Sequence, residues 1–277
     1  ASAALAPAAS SLPVVLLRTP WRQRALVLRL IRRDVVGRYR GSMAGLAWSL
    51  LQPLAMLGVF TFVFGELLGM RWGAATESRA DFALVLFAGL ILHGFFGECL
   101  TRAPMLVVGN PNFVKKVVFP LEILPWVTVG TALFHAAASV LAWVLIAALG
   151  GRAIPATFAY LPIVLAPLAL FALGAAWFLA ATSVYLRDVG QATGLLSSAL
   201  LFLSPVFYSA ASVPERYRAL LELNPLTIPI EEARRVMLLG EAPDFARLAV
   251  HAAAGLAAAL AGLWWFQRTR RGFADVL

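Results

Sequence analysis

Charge drops out of this chain in six long runs. Gly41–Gly65, Phe82–Gly97, Ile123–Gly151, Ala153–Leu186, Val189–Pro214 and Leu248–Gln267 contain no Asp, Glu, Lys or Arg. The second run is the shortest, and Glu98 interrupts it just before Cys99. A helix that crosses the hydrocarbon core of a bilayer, ~30 Å thick, needs about 20 predominantly apolar residues. Backbone N–H and C=O groups in lipid must also bond within their own segment, which leaves helices or a closed barrel. Barrel strands would alternate apolar and polar positions over about ten residues, and these runs do not. The pattern therefore predicts an all-α membrane protein with six transmembrane helices. Pro53, Pro125, Pro162, Pro167 and Pro205 fall inside the runs. Proline removes a ladder donor and kinks a helix, so kinked spans are expected, and no function follows from them.

The intervening segments differ in kind. Residues 1–18 open without a charged side chain and read as a flexible cytoplasmic tail. Residues 19–41 read as an amphipathic interface helix, with Thr19 able to cap and Pro20 suited to the first helical position. At 100° per residue, Arg22, Arg29, Arg33 and Arg40 form one narrow stripe, with Val27, Leu28, Ile31 and Val35 roughly opposite. Arg32 and Arg38 break the pattern. Such a helix lies in the membrane interface, either as a plain lipid anchor or as a moving gate. The six-span body covers residues 42–268, with an inner loop at 101–121 and an outer segment at 209–247. The inner loop turns at Gly109-Asn110-Pro111-Asn112. Phe113, Val114, Val117 and Val118 then follow at helical spacing, predicting a short helix with a side free for a partner. The outer segment holds Pro214, Pro225, Pro229 and Pro243 yet is rich in Leu, Val and Ile. It reads either as short helices that dip back into the membrane or as a small folded cap. Residues 269–277 form a cytoplasmic tail.

Composition sharpens this picture. Apolar residues make up 61% of the chain and charged residues 13%, with a mean hydropathy of +0.82. Soluble domains run nearer half and a quarter. The net charge of +9 is read as a preference for anionic membrane rather than nucleic acid, because the basic residues sit between apolar blocks. With both termini inside, 15 Lys and Arg fall in inner segments and 8, including Arg71, Arg79 and Arg152, in outer ones. That bias puts both termini in the cytoplasm. The lone Cys99 excludes an internal disulfide. No internal repeat of the kind common in carriers stands out.

Several chemistries are missing. No Gly-x-x-x-x-Gly-Lys-Ser/Thr occurs, and neither Lys115 nor Lys116 follows a glycine, so the chain has no phosphate-cradling loop of its own. His93, His135 and His251 pair with no Cys, Asp or Glu at a metal spacing. Neither a serine-based nor a paired-carboxylate constellation is evident, so the chain is not read as an enzyme. Glu66, His93 and Glu98 are ionisable groups in or near spans, the kind a proton-coupled secondary carrier uses.

The stretch Arg33-Asp34-Val35-Val36-Gly37-Arg38-Tyr39-Arg40-Gly41-Ser42-Met43-Ala44-Gly45-Leu46-Ala47-Trp48-Ser49-Leu50-Leu51-Gln52-Pro53-Leu54 resembles the start of the membrane subunit of bacterial type-2 ABC exporters for polysaccharide: O-antigen, capsule and teichoic acid permeases. Asn110 to Pro125, Tyr185-Leu186-Arg187-Asp188-Val189, Ser204-Pro205-Val206-Phe207-Tyr208, Asn224-Pro225-Leu226 and the tail Gly272-Phe273-Ala274-Asp275-Val276-Leu277 are similar to the same family, in order along the chain. The resemblance implies a homodimer of six-helix subunits in the inner membrane, with a pore at the dimer interface. It implies two separate cytoplasmic ATPase subunits, which use the ATP and magnesium. It implies a lipid-linked polysaccharide as cargo, O-antigen first and capsule close behind, with room for a periplasmic partner. The ATPase contact then falls on Asn110, Asn112, Phe113 and Lys115, with a second contact at Arg187 and Asp188. Arg29, Arg33, Arg38 and Arg40 are placed to meet the diphosphate of the cargo, since Arg binds phosphate through paired hydrogen bonds. Anionic headgroups explain the same arginines equally well. Aromatic faces give sugar rings weak stacking contacts, which makes Trp48, Phe60, Phe64, Phe202, Phe207 and Tyr208 the candidates to line a channel. A type-2 permease for a drug or another lipid, and a proton-coupled carrier, are the competing readings.

Overall fold

The computed structural model describes residues 12–67, 69, 79–115 and 119–277. Arg71 and Lys116 of the charge count lie outside the described residues, and so does the first part of the tail. The described residues form helices and turns, with no strand among them. In order, α1 covers Leu12–Arg22, α2 Arg24–Tyr39, α3 Trp48–Phe60 and α4 Arg79–Arg102. Two short helices follow, α5 at Met105–Val108 and α6 at Pro111–Lys115. Then come α7 at Leu124–Leu149, α8 at Leu161–Tyr185 and α9 at Val189–Leu203. The last group is α10 at Glu215–Leu223, α11 at Thr227–Arg234, α12 at Phe245–Thr269 and α13 at Phe273–Val276. Five helical stretches are long and apolar enough to cross a bilayer: Gly45–Leu67, Asp81–Arg102, Leu121–Leu149, Ala156–Tyr185 and Phe245–Val276.

α4 is the central post. Of its apolar window 72% is buried, against 6% for the first span. It packs on α7, α8, α9 and α11, with Leu86, Ala88 and Cys99 wholly buried. The two large indoles of the core each find an acceptor, as buried Trp generally does: Trp143 donates to the Leu84 carbonyl at 3.0 Å and Trp177 to that of Glu122 at 3.1 Å. α8 and α12 form the closest helix pair. A Cβ at Gly174 would strike the Ala258 carbonyl, and one at Gly262 the Gly174 carbonyl. A Cβ at Gly255 would lie 2.8 Å from the Pro167 carbonyl oxygen. Small residues let backbones touch in this way where lipid offers no hydrophobic drive for association.

Four expectations shift. Residues 12–18, read as loose tail, are helical, because Leu16 is buried and α1 packs against α12. Thr19 and Pro20 therefore lie inside α1, and the break before the interface helix comes at Gln23. Pro125 and Pro162 sit in the first turns of α7 and α8, where the missing N–H is no loss, so neither kinks a span. The fifth apolar run does not stay helical to Pro214. α9 stops at Leu203 after 15 residues, about 22 Å, and Ser204-Pro205 turns the chain away. The outer segment then folds as α10 and α11, continued by a wide turn at Arg235–Leu239 that ends on left-handed Gly240 with φ 70°.

Candidate functional site

Three groups of predicted residues can be followed, and each lands in a different part of the bundle. The aromatic group lies where the end of α3 meets the bend after α9. Phe64 stacks on Phe207 with centroids 4.4 Å apart, Phe60 meets Phe207 at 5.3 Å, and Phe202 lies 5.5 Å from it. Phe60 and Phe64 are 6.1 Å apart. Four of the six candidates thus form one cluster, with Phe207 buried as its hub and Phe202 exposed. Trp48 stands apart, exposed at the opposite end of α3. The Tyr208 hydroxyl donates to the Leu203 carbonyl at 3.1 Å and stabilises the bend. The cluster borders a wide apolar surface. Leu51, Leu54, Met56, Val59 and Phe62 are exposed on the first span, and Leu195, Leu196, Phe202 and Leu203 on α9.

The second group is on α2. Val27, Leu30 and Val35 are buried, with Val27 and Leu30 against Ile123 and Val127. Arg29 and Arg40 are exposed, and Arg29 Nε donates to the Ala25 carbonyl of its own helix at 3.0 Å. Arg38 instead lies on the inward face. Its Nη1 donates to Glu98 Oε1 at 2.6 Å. Its departure from the basic stripe was the sequence signal, and the structure supplies the reason. Glu98 also receives Arg102 Nη1 at 3.1 Å and lies 2.8 Å from His135 Nδ1. Arg102 bonds on to Asp34. Next to this knot, burial raises the Tyr39 hydroxyl above its ordinary pKa, so Tyr39 is neutral beside the charges. The knot closes the inner end of a cavity of about 500 Å³ that Gln52, Phe60, His93 and Ser139 also line.

The third group is at the end of the bundle formed by α5, α6 and the Arg187–Asp188 turn. α5 packs against α8, and Gly190 at the start of α9 approaches Pro104 just before α5. The exposed turn at Arg187 and Asp188 therefore lies beside the inner loop. The Asn110 side chain donates to the Leu106 carbonyl at 3.1 Å, Asn112 is exposed, and Phe113 stacks on Phe119 at 4.3 Å. Lys115 ends α6, and its side chain lies outside what the structure describes. The tail joins this end as well: Phe273 is buried between Tyr185 and Phe266, and α13 touches α6. Arg33 ties the second group to the third, with its guanidinium 5.9 Å from the centre of the Phe113 ring. Among the described residues no His, Cys, Asp and Glu come together as a metal site.

A helical bundle with five apolar, membrane-length stretches and apolar outer faces on α3 and α9 defines a multi-span integral membrane protein. More narrowly, the chain belongs to the ABC-2 type transporter family, whose sequence pattern matches residues 25–238. It is 26% identical over 262 residues to the O-antigen export system permease protein RfbA of Myxococcus xanthus, covering 94% of this chain and 98% of that one. It is 22% identical over 255 residues to the RfbA permease of Klebsiella pneumoniae, covering 91% and 95%. The polysialic acid transport protein KpsM of Escherichia coli is 22% identical over 219 residues, covering 79% and 83%.

Proposed function

We propose that this chain is the channel-forming subunit of an ATP-driven exporter that moves a lipid-linked polysaccharide across the inner membrane. The aromatic cluster carries the reading. Phe60, Phe64, Phe202 and Phe207 meet at the edge of the exposed apolar faces of α3 and α9. Two copies joined along those faces bring two such clusters together, and ring faces let sugars slide past without fixed hydrogen-bond geometry. O-antigen is the first cargo and capsule the second, in line with the names of the relatives. ATP and magnesium belong to a separate pair of ATPase subunits that dock on α5, α6 and the Arg187–Asp188 turn. Both termini then face the cytoplasm, and α2 controls access to the channel from the inner leaflet. Arg29 and Arg40 are exposed to meet the diphosphate of the cargo, Arg33 meets it beside the Phe113 ring, and Arg38 meets it only by releasing Glu98. The pairing of Glu98 with two guanidinium groups argues against the proton-carrier reading, because a relay carboxylate has to be free to take up a proton.

Deleting the gene tests this proposal. The cell surface should lose its long-chain polysaccharide while the lipid-linked glycan accumulates inside. Restoring the chain should reverse both effects, and a Phe60→Ala, Phe207→Ala double variant should export at least about tenfold less. Unchanged surface polysaccharide in the deletion strain would rule the reading out.

A further inference from the structure

The interface helix is bonded to the membrane body at its inward-facing charges, which is more than a lipid anchor needs. Asp34 accepts from Arg102, the last residue of α4. One turn further along α2, Arg38 Nη1 binds Glu98 Oε1 at 2.6 Å. Glu98 and Arg102 are themselves one turn apart on α4 and joined at 3.1 Å. α7 adds His135, whose Nδ1 lies 2.8 Å from Glu98 Oε2 and 3.1 Å from Arg38 Nη1, while Tyr39 meets the His135 ring edge-on at 6.0 Å. Two carboxylates and two guanidinium groups balance, so with His135 neutral the knot needs no further counter-ion. Glu98 is 13% exposed and Arg38 45%, so the knot is sheltered at Glu98 and open to solvent screening on its α2 side.

Apolar contact reinforces the same junction. Ile31 lies so close to Gly130 of α7 that a Cβ at position 130 would collide with it. On the other flank, Arg33 sits over Phe113 of α6. Arg33, Asp34, Arg102, Asn110 and Phe113 all border one small cavity of about 320 Å³. α5 and α6 lie between α4 and α7 in the chain and form the tip of that hairpin. A push on the tip therefore reaches α2 through Phe113–Arg33 and Arg102–Asp34.

We propose that this relay fastens α2 to the α4–α7 hairpin, so that the interface helix and the segment that receives the ATPase move as one part. Asp34, Glu98 and Arg102 are positioning residues in that part. The inference rests on the exporter reading above.

The test uses the full complex in membranes. Ile31→Cys and Gly130→Cys together introduce a cross-linkable pair in a chain whose own Cys99 is buried. Export is compared in the same preparation before and after oxidation. The expected result is export within about twofold of the reduced state, because the two helices travel together. A loss of about tenfold or more on oxidation would overturn the proposal, since it would mean that α2 must leave α7 to work. A second series does not depend on that pair folding well. Glu98→Gln and Asp34→Asn should leave complex yield and ATP hydrolysis at half of wild type or better, while export falls about tenfold. The conservative Asp34→Glu, which keeps a carboxylate for Arg102, should retain most of the export that Asp34→Asn loses. Yield, hydrolysis and export falling together, with no advantage of Asp34→Glu over Asp34→Asn, would mean a purely structural role and would also overturn it. A wild-type complex that holds no ATPase would instead sink the exporter reading, and this control reports that separately.

Discussion

Arg234 carries its charge into the interior of the bundle, at 7% exposure. Its Nε, Nη1 and Nη2 donate to the carbonyls of Val85, Pro205 and Val206 at 3.2, 2.5 and 2.8 Å. Those carbonyls belong to α4 and to the bend after α9, and the bend is where the helical ladder stops supplying partners. One side chain thus satisfies groups that an interrupted span leaves open. Arg234→Leu leaves the two buried carbonyls of the bend, Pro205 and Val206, short of a donor, each worth about 1–3 kcal/mol. Thermal unfolding of the detergent-solubilised chain should show a loss of about 3 kcal/mol or more, with Arg234→Lys recovering only part because an ammonium lacks the planar fork. An unchanged midpoint would mean that the bend is held by something else. Gly89 belongs to the same contact. A Cβ there meets Arg234 Nη2 at 3.0 Å and Val206 Cα at 3.3 Å, so Gly89→Val should cost stability by the same route. Neither Arg234 nor Glu98 could be assigned its partners from the sequence. Arg38 and His135 lie 60 and 37 positions from Glu98, and a helical wheel sees only neighbours on its own helix.

The spans were legible because runs free of charge have no other stable place than lipid, and the starts and ends of α4, α7, α8 and α12 fall within a turn or two of those runs or just beyond them. The break after Leu203 was hidden. Ser204-Pro205-Val206-Phe207-Tyr208 is as apolar as the helix before it, and hydropathy does not register a turn whose carbonyls are satisfied from another element. Glycines show the difference between a packed and an open face. At Gly174, Gly255 and Gly262 the α8–α12 seam leaves no room for a side chain, whereas Gly58 on α3 and Gly194 on α9 have nothing within 4 Å. Gly262→Val should therefore abolish accumulation of folded chain, as judged by size-exclusion recovery. Gly58→Leu should leave the thermal midpoint of the isolated chain unchanged and reduce export, because that face is the proposed junction with a second copy. Full export from Gly58→Leu would remove α3 from the proposed junction. Of the candidate channel residues, the four phenylalanines come together because apolar rings at the end of one helix and in the following bend share a core. Trp48 lies three turns away along α3, a distance that residue type alone does not reveal.

At the scale of the whole molecule, the chain divides its labour by depth. The α8–α12 seam and the buried post α4 form the packed centre. The inner end carries the relay, the short helices α5 and α6 and the buried Phe273 of the tail. The outer end carries α10 and α11 and the Arg234 staple. The wide apolar face of α3 and α9 is exposed in the single chain. In the proposed function this chain works as half of a channel driven by ATPase subunits from outside its own sequence. Native mass measurement of the complex, extracted from its own membranes in mild detergent, is the direct test. Two copies of the chain with two copies of an ATPase that carries a phosphate-binding loop are expected, with dissociation when α6 is disrupted by Phe113→Asp. A chain that runs alone, with no ATPase bound and no response to added ATP, would contradict it.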